Sequence, residues 1–211
     1  MLTNRQLPGI VMFIFFAAVI TLAAGCNDDS HGTMETLDKW PADYPADGDS
    51  MATIFVSIDG QSIGAMSLSF SPDSAPNHVR NFKWLANSRF YDGVRFHRVI
   101  REFMVQGGDP TGTGSGGAPW TVDAEFNGIH HVRGIVSMAR SSDPNSASSQ
   151  FFVVQGDSFP YLDEQYTVFG RLGGGFETLD SIANVATGGP EHSSPLLPVV
   201  MDSVRISPMI H

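Results

Sequence analysis

Apolar and polar residues alternate with a period of two along Thr53–Ile58 and again from Ile63 to Phe70, where Met66, Leu68 and Phe70 alternate with Ala65, Ser67 and Ser69. Successive side chains on a strand point to opposite faces, and Asp59-Gly60 suits a tight turn, so this stretch predicts a β-hairpin. The period then changes. Val79, Phe82, Leu85 and Ala86 fall on one helical face, behind Pro76 in a first turn where a missing N–H costs little, with Ser74 as the capping residue. A second helix is predicted over Phe176–Ala183, where Phe176, Leu179, Ile182 and Ala183 share a face between the glycines at 173–175 and Gly188-Gly189. Short β-rich segments separate the helices: Arg95–Ile100, Met104–Gly107, Ile135–Ala139, Phe151–Val154 and Val168–Arg171. Val199–Ile206 supplies the last strand. Many short strands with only two helices predict a mainly-β barrel or sandwich.

The start of the chain follows neither period. Arg5, an apolar run from Ile10 to Ile20 and the small residues Ala23-Ala24-Gly25 read as a secretory signal over residues 1–25, too short for a confident membrane span. Cys26 is the single cysteine, so no intrachain disulfide is available to it. Its place directly after Ala-Ala-Gly resembles a bacterial lipoprotein cleavage site, although Leu22 stands one position earlier than such sites usually carry it. That resemblance implies a lipid anchor on Cys26 and an extracytoplasmic, membrane-attached protein. Residues 26–50 are rich in Asp, carry Pro41 and Pro45 and hold few aliphatics, which predicts a flexible acidic tether. Residues 51–208 then form one domain.

Composition narrows the functional classes. The chain has 22 acidic against 12 basic residues, and the leader removes only Arg5 from that balance. Such acidity argues against nucleic acid, whose phosphates need clustered Lys and Arg, and favours a soluble domain. The 22 glycines and 13 prolines fit a turn-rich β domain without a repeat.

The candidate chemistry is concentrated in three stretches. Phe96-His97-Arg98-Val99-Ile100 is followed by Phe103-Met104-Val105-Gln106-Gly107-Gly108-Asp109, and later by Ser148-Ser149-Gln150-Phe151-Phe152. A cation, amides and large apolar side chains in strand-like segments bounded by glycine describe a shallow apolar pocket with an arginine on its rim. In this order the motifs resemble the cyclophilins, peptidyl-prolyl cis-trans isomerases, from about Ala52 to about Ser207. The resemblance implies a closed eight-stranded antiparallel β-barrel capped by two α-helices, acting as a monomer on X-Pro bonds without metal or cofactor.

Rotation about an X-Pro bond meets a barrier of about 20 kcal/mol. A catalyst needs a donor aimed at the pyramidalising nitrogen, groups holding the flanking peptide and a socket for the ring. Arg98 has the chemistry of the donor, since a guanidinium stays charged and presents several N–H groups in one plane. By resemblance Arg98 is catalytic, and Phe103, Met104, Phe152 and Leu162 form the socket. Gln106 and Gln150 each offer a donor and an acceptor for a peptide. Ala139 and Arg140 stand where the family usually carries Ala-Asn, and there the backbone pairs with substrate. Tyr161 and Tyr166 replace a tryptophan and a histidine that many members carry on the pocket wall, and Tyr161 lacks the indole N–H used to bind cyclosporin. His97 has no proton to move in an isomerisation and is expected to make a structural hydrogen bond. The glycines from 107 to 117 lack the Gly-Lys-Ser/Thr ending of a phosphate loop and read as a groove edge. The expected role is to assist folding of exported proteins by binding their proline-containing segments. A non-catalytic proline-peptide binding module is the rival reading, and the charge at Arg98 favours the enzyme. A hydrolase finds no recognisable nucleophile context.

Overall fold

A computed structural model of the protein describes residues 37–41, 43–46 and 49–209, so the leader read over residues 1–25, Cys26 and the first part of the acidic tether lie outside the described residues. In chain order the strands and helices are β1 (Ser50–Ile58), β2 (Gln61–Phe70), α1 (Pro76–Asn87), β3 (Val94–Arg95), β4 (Arg98–Ile100), β5 (Met104–Gly107), β6 (Ile135–Met138), β7 (Phe151–Val154), β8 (Val168–Gly174), α2 (Phe176–Ala183), β9 (Thr187–Gly188), β10 (Ser194–Pro195) and β11 (Val199–Pro208). The hairpin of β1 and β2 turns at Asp59 and Gly60, both with positive φ (50° and 75°), the pair of angles that matches the twist of the flanking strands. Along β1 the inward residues Ala52, Ile54 and Val56 are fully buried, and Met66 and Leu68 match them on β2.

Nine strands join in one antiparallel sheet in the order β3-β11-β1-β2-β8-β6-β7-β5-β4, and β9 and β10 form a separate small hairpin. The closed eight-stranded barrel expected from the family resemblance is not what forms. The sheet is curled into a half-barrel, with β3 and β4 at its two ends. Chain geometry gives the reason. The segment read as one strand over Arg95–Ile100 breaks at Phe96-His97: β3 pairs with β11 while β4 pairs with β5. One covalent corner therefore spans the two sheet ends, and an isolated bridge between Arg95 and Asp109 also reaches across.

The core fills the inside of the curl. Phe82 of α1 is its hub, with ring centroids 5.0 Å from Tyr91, 5.4 Å from Phe151 and Phe169, and 5.9 Å from Phe70. A second apolar cluster, Met104, Ile135, Phe152, Val154, Leu162 and Val168, is separate from this core. Neighbouring residues of β7 divide between them, Phe151 and Val153 facing the main core and Phe152 and Val154 the second cluster. Strands buried on both faces read as continuous apolar runs, which explains why β7 shows no alternation.

Two expectations change. Ser74 does not cap α1; its N-cap position is Ala75, with no side-chain bond there. The cap comes from Glu125, far along the chain, whose carboxylate accepts from the backbone N–H groups of Asn77 (3.0 Å) and His78 (3.0 Å) and lies 2.7 Å from His78 Nδ1. The tether also stops short of residue 50. Asp38 accepts from Trp84 Nε1 (2.8 Å), the Tyr44 carbonyl accepts from Arg80 (2.9 Å), and the Tyr44 ring meets Trp84 edge-on at 5.1 Å. Tyr44 packs on α1, Leu37 on the main core and Trp40 edge-on against Trp120 (6.3 Å), which outweighs the acidic composition around them.

Glu125→Ala leaves two helix N–H groups and a buried imidazole without their acceptor. It is expected to lower stability by about 2 kcal/mol in urea unfolding. Ser74→Ala is expected to shift the same curve by no more than about 0.5 kcal/mol.

Candidate functional site

Strand register assembles the site. Arg98 on β4 stands opposite Gln106 on β5, Gln106 opposite Phe152 on β7, and Phe152 opposite Ser137 on β6. Residues directly opposite each other in antiparallel pairs share a face, so a cation, an amide, an aromatic ring and a hydroxyl form one row across four strands. The neighbouring row on that face runs from Ile100 through Met104 to Val154.

Over these rows lies a cavity of about 170 Å³, lined by Arg98, Phe103, Met104, Gln106, Ala139, Arg140, Phe152, Leu162 and Tyr166. The structure thus brings nine of the sequence-predicted positions to one depression. Met104, Phe152 and Leu162 are buried and form its floor. Arg98 keeps 37% of its side chain exposed, and its Nε lies 3.6 Å from Glu191 on the turn between β9 and β10. Two predicted positions lie outside the lining. Tyr161, on a 3-10 turn at Pro160–Leu162, is 66% exposed and packs its ring against Phe103 (6.3 Å) and Phe159 (6.0 Å). Gln150 lines a larger neighbouring groove of about 760 Å³ that also holds Gln106 and the glycine-rich loop.

Arg140 lines both depressions, as Gln106 and Ala139 do. It donates to the carbonyls of Gln165 (2.8 Å) and Ser141 (2.8 Å), and its guanidinium lies 4.9 Å from the centre of the Tyr166 ring. Ala139 N donates to the Gln150 carbonyl at 2.9 Å. His97 does not make the structural hydrogen bond expected of it: both ring nitrogens are buried without a partner among the described residues. Burial accordingly lowers its pKa, and the Arg98 charge adds to that against the pull of Asp109.

The two glutamines are not equivalent. Gln150 donates through its amide to the carbonyls of Gly114 (2.9 Å) and Gly116 (2.8 Å), and its oxygen accepts from Gln106 Nε2 (2.9 Å). Its capacity is spent on the loop and on its neighbour. The Gln106 oxygen has no partner among the described residues, and Gln106 lines both depressions.

The loop that holds Gln150 is itself held by Asp109. This fully buried carboxylate accepts from the backbone N–H groups of Thr111 (2.7 Å), Thr113 (3.0 Å), Gly114 (2.6 Å) and Gly116 (3.1 Å), and from the Thr111 hydroxyl (2.8 Å). A Cβ at Gly116 would run into this carboxylate, which is why glycine stands there. Burial alone would raise the Asp109 pKa, and the hydrogen bonds from Thr111, Gly116 and Gly114 outweigh it and hold the group at about 2. The motif containing Asp109 was legible, but its role was not; Asp followed by Thr two residues on is the local turn signal that points to it. Phe159, Glu191, His131 and Asp163 left no such signal.

The Asp109 carboxylate is depressed in the folded state, so its stabilisation is present above the ordinary carboxylate pKa and is lost as pH falls from about 4 toward about 2. Asp109→Asn removes one acceptor and the charge. It is expected to cost on the order of 2 kcal/mol at pH 7 and to flatten the acid-unfolding curve in that window, both read by circular dichroism.

Comparison with known proteins agrees with this geometry. Residues 55–206 match the family model for cyclophilin type peptidyl-prolyl cis-trans isomerase/CLD. A putative peptidyl-prolyl cis-trans isomerase of Staphylococcus haemolyticus is 37% identical over 174 residues, covering 68% of this chain and 86% of that protein. A putative bifunctional phosphatase/peptidyl-prolyl cis-trans isomerase of Streptococcus pyogenes is 38% identical over 175 residues, and Arabidopsis thaliana CYP65 is 39% identical over 150. In these two the match spans only 37% and 25% of the relative's length. A crystal structure of a Cryptosporidium parvum cyclophilin type peptidyl-prolyl cis-trans isomerase with the dipeptide Ala-Pro superposes with a TM-score of 0.68 at 32% identity, over 75% of this chain and 99% of that one. With the family model matched over residues 55–206, the chain belongs to the cyclophilin-type peptidyl-prolyl cis-trans isomerase family.

Proposed function

We propose that this protein is a peptidyl-prolyl cis-trans isomerase that accelerates X-Pro isomerisation in exported proteins. The observation that carries the reading is the row of Arg98, Gln106 and Phe152 over one apolar depression. In this mechanism a proline ring sits on Phe103, Met104, Phe152 and Leu162. As the X-Pro bond twists, its nitrogen pyramidalises and recovers a lone pair. Arg98, charged at any working pH, donates a hydrogen bond to that nitrogen and so stabilises the twisted state over either planar isomer. Gln106 uses its free oxygen to hold the peptide beside the ring, and Gln150 keeps Gln106 in place. The Ala139 carbonyl, whose own N–H is already given to Gln150, pairs with the extended substrate beside Arg140, while Tyr161 and Tyr166 border the socket. No bond is made and no proton moves, so a neutral, unpartnered His97 beside Arg98 is compatible with turnover.

The same reading takes Cys26 as a lipidated anchor that leaves the domain outside the cytoplasm. Each buried CH₂ of an acyl chain contributes about 0.8 kcal/mol to membrane attachment, so several chains hold firmly. Slow prolyl isomerisation limits folding of many chains, and exported ones must fold at that location.

A protease-coupled proline isomerisation assay on the Asn27–His211 fragment tests the activity. Arg98→Ala is expected to lower kcat/KM on a short proline peptide by at least about tenfold with an unchanged circular dichroism spectrum. A folded variant with wild-type activity would refute the mechanism. Cys26→Ser is expected to abolish fatty-acid labelling and to move the protein out of the membrane fraction. An unchanged membrane fraction would mean that the apolar leader itself holds the chain.

A further inference from the structure

Behind the proline socket lies a chain of hydrogen bonds that the proposed reaction does not use. His131 is buried, and its ring lies nearly parallel to that of Phe152, at 17° with centroids 6.0 Å apart, and meets Tyr166 edge-on at 6.5 Å. Nδ1 is 2.9 Å from Asp163 Oδ1, which also accepts from His131 N at 2.8 Å. On the far side of the ring Nε2 is 3.1 Å from Ser137 Oγ, itself 2.9 Å from the Thr167 carbonyl. The other oxygen of Asp163 lies 2.8 Å from His130 Nδ1, and Arg140 stacks on Tyr166.

Aspartate, histidine and serine in this order suggest a hydrolase relay. Ser137 is fully buried in the row beneath Phe152, however, and no ester or peptide reaches its hydroxyl. The arrangement serves to hold a ring. Asp163 is kept at about 2, first by the bond from His130, so at neutral pH it only accepts and Nδ1 carries a hydrogen. Burial lowers the His131 pKa against the pull of Asp163, which favours the neutral ring. The Ser137 hydroxyl donates to the Thr167 carbonyl at 2.9 Å, which also accepts from Met138 N at 3.0 Å, and Ser137 Oγ stays 3.1 Å from Nε2. Each ring nitrogen has its polar neighbour, Asp163 at Nδ1 and Ser137 at Nε2, and this fixes the ring in one orientation.

We propose that His131, fixed between Asp163 and Ser137, is a positioning residue that sets the planes of Phe152 and Tyr166 against which the substrate proline is held. Asp163 directly follows the turn that supplies Leu162, so one carboxylate fixes both the floor and a wall of the socket. The inference rests on the reading of this cavity as a proline socket.

A KM-against-kcat comparison tests it. Asp163→Ala frees the ring and is expected to raise KM for a short proline peptide by at least about fivefold, with kcat within about twofold of wild type, because positioning and not the donor is lost. Asp163→Asn keeps an oxygen that accepts from the ring and is expected to restore KM. A folded Asp163→Ala enzyme with wild-type KM overturns the proposal, and so does equal damage in both variants. Should Asp163→Ala not fold, Ser137→Ala cuts the other end of the chain and decides in the same way. The Kd for the dipeptide Ala-Pro, followed by NMR titration of the same variants, separates this from the isomerase reading. An inactive wild type that still binds Ala-Pro ends that reading, and the Kd of Asp163→Ala then decides this one.

Discussion

Antiparallel pairing of Arg98 with Gln106, and of Gln106 with Phe152, puts a guanidinium, an amide and an aromatic ring on one face of the sheet. Side chains on a strand alternate faces, so a one-residue slip in β5 would send Gln106 into the core and Val105 into the depression. The register is fixed because β5 and β7 are buried on both faces. Val105, Phe151 and Val153 pack inward, and Met104, Phe152 and Val154 pack into the second cluster. The same packing that stabilises the sheet therefore aligns the site.

Around that row, two carboxylates organise the loops that strands cannot hold. Asp109 gathers the backbone N–H groups of the glycine-rich loop, whose carbonyls fix Gln150 and through it Gln106. Asp163 holds His131 behind Phe152. Both act through hydrogen bonds to a charged acceptor in partly or fully buried surroundings, where such bonds are stronger than between neutral groups. Arg140 does comparable work beside both depressions, spending its donors on carbonyls and its flat face on Tyr166. The position of Arg140 was legible through the motif; its contacts to Gln165 and Tyr166 were not.

The corner at Phe96-His97 links fold and site. It lets neighbouring residues serve opposite ends of the sheet, so the half-barrel stays open along its edges while the covalent chain bridges them. It also places His97 beneath the glycine-rich loop and turns Arg98 toward the depression. The small β9–β10 hairpin reaches this corner through the bond from Val99 N to the Ser193 carbonyl (2.7 Å), bringing Glu191 to Arg98.

The sequence by itself determined the elements whose cause is local. The β1–β2 hairpin follows from alternation around Asp59-Gly60, α1 and α2 from helical spacing, and β5 and β7 from short apolar runs, because side-chain period and turn chemistry act over a few residues. The positions lining the depression were legible through motifs that resemble a family. What only the tertiary structure decided depends on partners distant in the chain. Glu125 caps a helix 47 residues earlier, Asp38 and Tyr44 dock on α1, and Ser137, His131 and Asp163 meet behind Phe152. The break of one predicted strand into β3 and β4, which leaves the barrel open, belongs here too. Each is set by which groups the curled sheet brings within hydrogen-bonding or packing distance, and no spacing along the chain records that.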